Sequence, residues 1–206
     1  SHPEELVARA ATLGYSALAV TDECSVAGAV RAHTAAREHG LHLIIGTELR
    51  PADGPGLVLL APSRQAYAQM SALISLARSQ ADKGAYRLSR RDLEGAVPDC
   101  LALLLPDTPA DPEAVAWFAA RFRDRGWLAI ELFHGPDDAA RLAELTALGE
   151  AHGLPLVAAG DVLMHRRGRR ALQDTLTAIR HNRPVHTLGH EALLSNGERP
   201  LRSLSV

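Results

Sequence analysis

Four apolar runs in this chain each end on a carboxylate: Ala17-Leu-Ala-Val-Thr-Asp22, Leu43-Ile-Ile-Gly-Thr-Glu48, Leu128-Ala-Ile-Glu131 and Leu156-Val-Ala-Ala-Gly-Asp161. Each run lies between helix-like segments, the pattern of parallel strands joined by crossover helices. Residues at the C-terminal ends of such strands converge on one rim, where β/α barrels and open α/β sheets carry their chemistry. One acid after a strand commonly just caps the next helix. Four on one rim, with histidines nearby, are the raw material of a metal site.

The periodicity predicts a helix over 3–13, a strand over 17–21, a helix over 26–38 stopped by Gly40, and a strand over 42–49. A turn at 51–56 leads to a strand over 57–61 and a helix over 64–80, then a loop near 82–84, a short helix near 89–94 and a strand over 100–105. The second half alternates again: helix 111–124, strand 127–132, helix 137–151, strand 155–159 and helix 168–181. In the 137–151 segment Ala139, Leu142, Leu145 and Leu148 form one apolar stripe. The strands are continuous apolar runs, which suits a mostly parallel sheet covered on both faces. The final 25 or so residues are the least regular.

At 206 residues the chain is one domain by length, with room for a sizeable core. A net charge of −2 and an aromatic content of 4% speak against bulk electrostatic binding or base stacking on nucleic acid. Lys83 is the single lysine. Cys24 and Cys100 make neither a metal-type pair nor a disulfide framework, no apolar run is long enough for a membrane helix, and no signal peptide is visible, so a cytoplasmic location is expected. The opening Ser1-His-Pro-Glu4 reads as a helix start with a Ser cap, and no strand precedes it. Nothing closes the fold after Ser203. The expectation is a single domain over 1–206, cut at both ends.

No glycine-rich phosphate loop and no nucleophile elbow occurs, so nucleotide cradling and serine hydrolysis recede. What remains is the acidic rim. Asp22 and Glu23 with Cys24, then Glu48, Glu131 with His134, and Asp161 with His165 supply oxygen and imidazole donors of the kind zinc or manganese accepts. Paired metals of this sort clamp phosphodiesters. His33, His39 and His42 read as surface histidines, and His181, His186 and His190 are given no role. Arg166-Arg-Gly-Arg-Arg170 is the densest basic cluster and reads as a solvated or domain-pairing face rather than a phosphate site. Cys24 reads as a packed residue, not a nucleophile.

From Ala17-Leu-Ala-Val-Thr-Asp-Glu-Cys24 onward the chain resembles the PHP (polymerase and histidinol phosphatase) domain of bacterial C-family DNA polymerases. The likeness continues through Leu43–Glu48, Leu57-Val-Leu-Leu-Ala61 and Gly153–Asp161. Ser1–Leu6 and Arg169-Arg-Ala-Leu-Gln-Asp-Thr-Leu-Thr-Ala-Ile179 are most similar to the error-prone, damage-induced branch. The resemblance implies a distorted, TIM-like β/α barrel at the N-terminus of a much longer chain, with the first strand and its H-x-H metal motif missing upstream of Ser1. It also implies an eroded metal site. The family's Thr-Asp-His reads Thr21-Asp22-Glu23, its histidine before the Leu-rich strand falls at Gly56, and its Asp-x-His reads Asp161-Val-Leu163, while Glu48 is kept. Asp22, Glu48, Asp161 and His165 remain as residual candidates for zinc or manganese.

The function implied is a structural PHP domain of an error-prone translesion polymerase, itself unable to polymerise DNA. Its expected partners are the other polymerase domains and, through them, DNA, accessory translesion proteins and the sliding clamp. The rival expectation is a metal-dependent phosphoesterase or exonuclease using Asp22, Glu48 and Asp161. A third is a stand-alone binding barrel.

Overall fold

The computed structural model describes residues 1–189 and 192–203; His190, Glu191 and residues 204–206 lie outside them. Six strands follow one another across a single sheet in chain order: β1 (Ala17–Val20), β2 (His42–Leu49), β3 (Gly56–Leu60), β4 (Leu101–Leu105), β5 (Gly126–Glu131) and β6 (Leu156–Ala159). Between and around them run α1 (Pro3–Thr12), α2 (Ala29–His39), α3 (Arg64–Ser79), α4 (Pro112–Arg121), α5 (Asp138–His152) and α6 (Arg170–Arg180). The sequence reading places these elements to within about three residues. The short helix expected near 89–94 is a single 3-10 turn, Arg91–Leu93.

Three of the helix boundaries have visible local causes. Gly40 takes the left-handed conformation (φ 64°) that ends α2, a conformation open to a residue without a Cβ. The cap of α1 is His2, not Ser1: the His2 backbone N–H donates to the Glu5 carboxylate at 2.9 Å. The Ser1 hydroxyl instead meets the His165 ring. α3 starts at Ser63, whose hydroxyl accepts the Ala66 N–H at 3.1 Å.

β1–β2, β4–β5 and β5–β6 pair parallel, whereas β3 runs antiparallel to both β2 and β4. The six residues from Arg50 to Pro55 are too few for a crossover, which needs a dozen or more, so the chain must turn straight back. The start of β3 therefore lies beside the ends of β2 and β4, with Leu49 opposite Leu57 and Gly56 opposite Leu105.

The sheet is the expected mostly parallel, barrel-like α/β sheet, and it is open. Among the described residues β1 pairs only with β2 and β6 only with β5, leaving a half-barrel with two open edges. Its main core fills the middle strands, where Leu49, Leu57, Leu59 and Leu104 pack with Met70, Phe118, Phe122, Leu128 and Leu145. Phe118 and Phe122 stack at 4.8 Å. A second, alanine-rich cluster joins α1, α2 and β1 through Val7, Ala10, Ala32, Ala35 and Ala36. Leu201, far along the chain, completes it. The apolar stripe expected on α5 is only half right. Leu145 is buried but Leu142 is 41% exposed, because the close approach to the sheet is made along Leu145 and Gly149.

Residues 192–203 run as a strap along the open side. Leu163 donates its N–H to the Arg199 carbonyl (3.1 Å), Leu201 donates to the Met164 carbonyl (3.0 Å), and the Tyr15 hydroxyl donates to the Arg202 carbonyl (2.8 Å). The strap thus ties the exit of β6 to the start of β1.

Candidate functional site

The rim forms where the exits of β1, β2, β5 and β6 meet the entry of β3. Parallel pairing continues past the end of β1 along β2: Glu48 donates its N–H to the Asp22 carbonyl (3.2 Å) and Cys24 donates to the Glu48 carbonyl (2.8 Å). Fully buried Thr47 reinforces this, donating its hydroxyl to the Asp22 carbonyl at 2.8 Å and accepting the Ser25 N–H at 3.1 Å.

Asp22 belongs to no metal-like cluster among the described residues. Its carboxylate accepts the Gly28 N–H at 2.8 Å, placing a negative charge at the start of α2, whose glycine cap has no side chain. Glu23 accepts the Tyr86 hydroxyl at 2.8 Å, and that same oxygen accepts the Arg50 N–H at 3.1 Å. Burial, reinforced by the Glu23 carboxylate, holds the Tyr86 hydroxyl far above its ordinary range. Arg78 stacks over Tyr86 and donates to the Glu23 and Cys24 carbonyls. Cys24 is buried and its thiol is pushed up by burial, which agrees with a packed residue and not a nucleophile.

Farther round the rim the acids meet guanidinium groups. Glu48 pairs with Arg50 at 2.7 Å. Asp161 pairs with Arg199. Asp161 adopts φ 36°, in the left-handed region that costs a side-chain-bearing residue about 1–2 kcal/mol. Glu131 is half-buried, and burial raises its carboxyl above the usual range. Arg199 pulls it back down and Glu48 pushes it further up, so these charges feel one another. The Arg199 guanidinium also lies 4.1 Å from the centre of the Phe133 ring.

His165 does not join Asp161 at the rim. Its Nδ1 sits 2.8 Å from the Ser1 hydroxyl and 3.6 Å from the Glu5 carboxylate on α1, and burial lowers its pKa. His33, His39 and His42 are exposed. Three of the four arginines between 166 and 170 are internally paired: Arg167 with Glu198 (2.7 Å), Arg169 with Glu5, and Arg170 with Asp174 (3.5 Å).

Among the described residues no three His, Cys, Asp or Glu side chains gather to hold a metal ion. The donor chemistry does not fit a multimetal centre: Asp22 is spent on a helix cap, Glu48 and Asp161 on arginines, and His165 on α1. Arg50 and Arg199 are the rim residues that the sequence reading missed. Arg50 lies two positions past Glu48 and was open to notice; Arg199 reaches Asp161 across 38 residues with no local signal.

The PHP domain family model matches residues 1–129. Across nearly the whole chain, relatives named error-prone DNA polymerase are 63% identical in Alkalilimnicola ehrlichii, 55% in Dechloromonas aromatica and 54% in Pseudomonas aeruginosa. They cover 99%, 98% and 100% of this chain, which in turn spans only 20% of each of them. Among solved structures, a protein from Bifidobacterium adolescentis described as a metal-dependent phosphoesterase matches with a TM-score of 0.58 at 16% identity, covering 78% of this chain and 82% of its own. An amidohydrolase from Chromobacterium violaceum matches at 0.52 with 18% identity, over 77% of this chain and 83% of its own. These likenesses support the half-barrel fold, and with the family match over more than half of its length the chain belongs to the PHP domain family.

Proposed function

We propose that this chain is a structural, non-catalytic PHP domain at the N-terminal end of an error-prone DNA polymerase. The parent would be a nucleotidyltransferase serving translesion synthesis in DNA repair and replication in the cytoplasm. The observation that carries the reading is the end-to-end similarity to polymerases five times longer, joined to a rim whose acids are already matched by the chain's own donors.

In this reading the domain is a docking body. α6 supports it: Leu172, Leu176 and Ile179, at the i, i+4, i+7 spacing of one helix face, are 42%, 50% and 69% exposed. That face suits the remaining polymerase domains, through which DNA, accessory translesion proteins and the sliding clamp would be reached. A strand upstream of Ser1, as the family resemblance implies, would pair with an open edge at β1 or β6. No helix among the described residues is long and apolar enough to cross a membrane.

Primer extension by this chain beside the full-length polymerase tests the reading. The chain alone is expected to add no nucleotide, and robust incorporation would overturn it. A second reading, a metal-dependent phosphoesterase, draws on the fold of the Bifidobacterium protein and on the retained Asp22, Glu48 and Asp161. It requires phosphodiester hydrolysis with zinc or manganese that Glu48→Ala abolishes; hydrolysis unchanged in that variant removes it.

A further inference from the structure

The rim poses an electrostatic problem. Glu131 is half-buried and feels the charge of Glu48, while Asp161 meets Arg199, whose charge acts on both glutamates; uncompensated like charges are costly in such a setting. We propose that Arg199 is the resident cation of this rim, supplying the positive charge that its carboxylates would otherwise have to draw from a bound ion. The proposal rests on the non-catalytic reading above and names the group that replaces the metal.

Four observations carry it. Arg199 pairs directly with Asp161, and its charge also acts on Glu131 and Glu48. Its guanidinium carbon lies over the Phe133 ring, 4.1 Å from the ring centre. The main chain is held as well: the Arg199 carbonyl accepts the Leu163 N–H, Asn196 donates to the Phe133 carbonyl at 2.6 Å, and Arg202 donates to the Leu132 carbonyl at 2.7 Å. The charge is therefore delivered by a built segment and not by a loose side chain. Finally, a second guanidinium flanks it. Arg50 pairs with Glu48, and its Nη1 lies 3.5 Å from where a Cβ on Gly56 would stand, filling the space that the missing side chain leaves.

Arginine suits this duty because it stays ionised when partly buried, sheds water more readily than an ammonium, and presents several donors in one plane. A metal ion entering the rim would have to displace a group tied down at both ends.

The test is thermal unfolding of this chain in chelator and in manganese chloride, with total metal measured by mass spectrometry. Wild type is expected to carry no stoichiometric metal and to melt alike in both. Arg199→Met is expected to melt about 5 °C lower or more in chelator. Adding Glu131→Gln should restore part of that loss, and manganese should raise the melting of Arg199→Met but not of wild type. Stoichiometric metal in wild type would overturn the non-catalytic reading itself. With wild type metal-free, an Arg199→Met that melts like wild type, that Glu131→Gln leaves unimproved, or that ignores manganese overturns the Arg199 role alone. Should Arg199→Met fail to fold, recovery of a folded chain in the Arg199→Met/Glu131→Gln double variant supports the proposal, and continued failure overturns it.

Discussion

On the β1 side of the rim Asp22 and Glu23 have become parts of the scaffold, one capping α2 and the other holding Tyr86. On the β5–β6 side Asp161 pairs with Arg199, whose charge also acts on half-buried Glu131. All four acids follow apolar strands, and their fates differ because of what lies within reach. After β1 the connection 21–28 folds the start of α2 back onto Asp22, so that the Gly28 N–H is the donor within reach. After β6 it runs on through 160–169 before α6, and the nearest partner arrives from a strap almost forty residues later. Position at a strand end thus brings an acid to the rim, while the connection that follows decides whether it becomes a cap or a charge.

The contrast can be broken from either side. Apart from the Arg199 variants, the largest effect is expected from Asp161→Asn, which keeps the shape and tolerates the positive φ but removes the charge. The partners are about one-quarter to one-third exposed, so the loss should be about 1–2 kcal/mol, read as a fall of several degrees in melting temperature. Asp22→Ala should cost about 1 kcal/mol by uncapping α2, with Asp22→Asn close to wild type. Manganese should rescue neither Asp22 variant, since that acid serves the backbone. An Asp22→Ala loss reversed by metal would place Asp22 on the charged side of the comparison.

Acid–base behaviour sharpens it further. The Glu131 carboxyl is raised in the folded state, so folding favours its protonated form. Its ionisation therefore removes stability as pH rises from the usual carboxylate range through the raised folded value. Glu131→Gln should gain on wild type across that interval, and chemical denaturation between pH 4 and pH 7 would show it; a gap that narrows with rising pH contradicts the assignment. His165 gives the opposite slope. Its folded pKa is lowered, so stability is lost as pH falls through the ordinary histidine value of about 6.5, and His165→Gln should flatten that part of the profile. The smallest effect, a few tenths of a kcal/mol, is expected for Glu23→Gln, which still accepts the exposed Tyr86 hydrogen bond.

Most of the architecture was legible because it is written in local periodicity: the apolar runs, Gly40, and the alternation of strand and helix. The open edges were legible only through the family resemblance and its missing first strand, since closure depends on what pairs with β1 and β6 and not on any pattern inside them. The site divides the same way. Glu23 and Leu163, where the family resemblance implies histidines, are read directly from the chain, and Arg50 sits beside Glu48 in it. Arg199 lies in the stretch that periodicity leaves blank, and only the folded path of the strap brings it to Asp161. His165 misleads for a similar reason: four residues from Asp161 in sequence, it is drawn to Ser1 and Glu5 on α1.

The reversal of β3 carries a consequence for how such a rim can be altered. β1, β4, β5 and β6 present their final residues to it and are each followed by a connection that carries a helix, while β2 runs straight into a turn. β3 alone presents its first residues, reached through the tight turn of Arg50–Pro55. A change in that turn, or a side chain gained at Gly56, would rewrite the local chemistry while leaving every crossover helix where it is. The rim therefore has one entrance through which its character can be edited independently of the architecture that supports it.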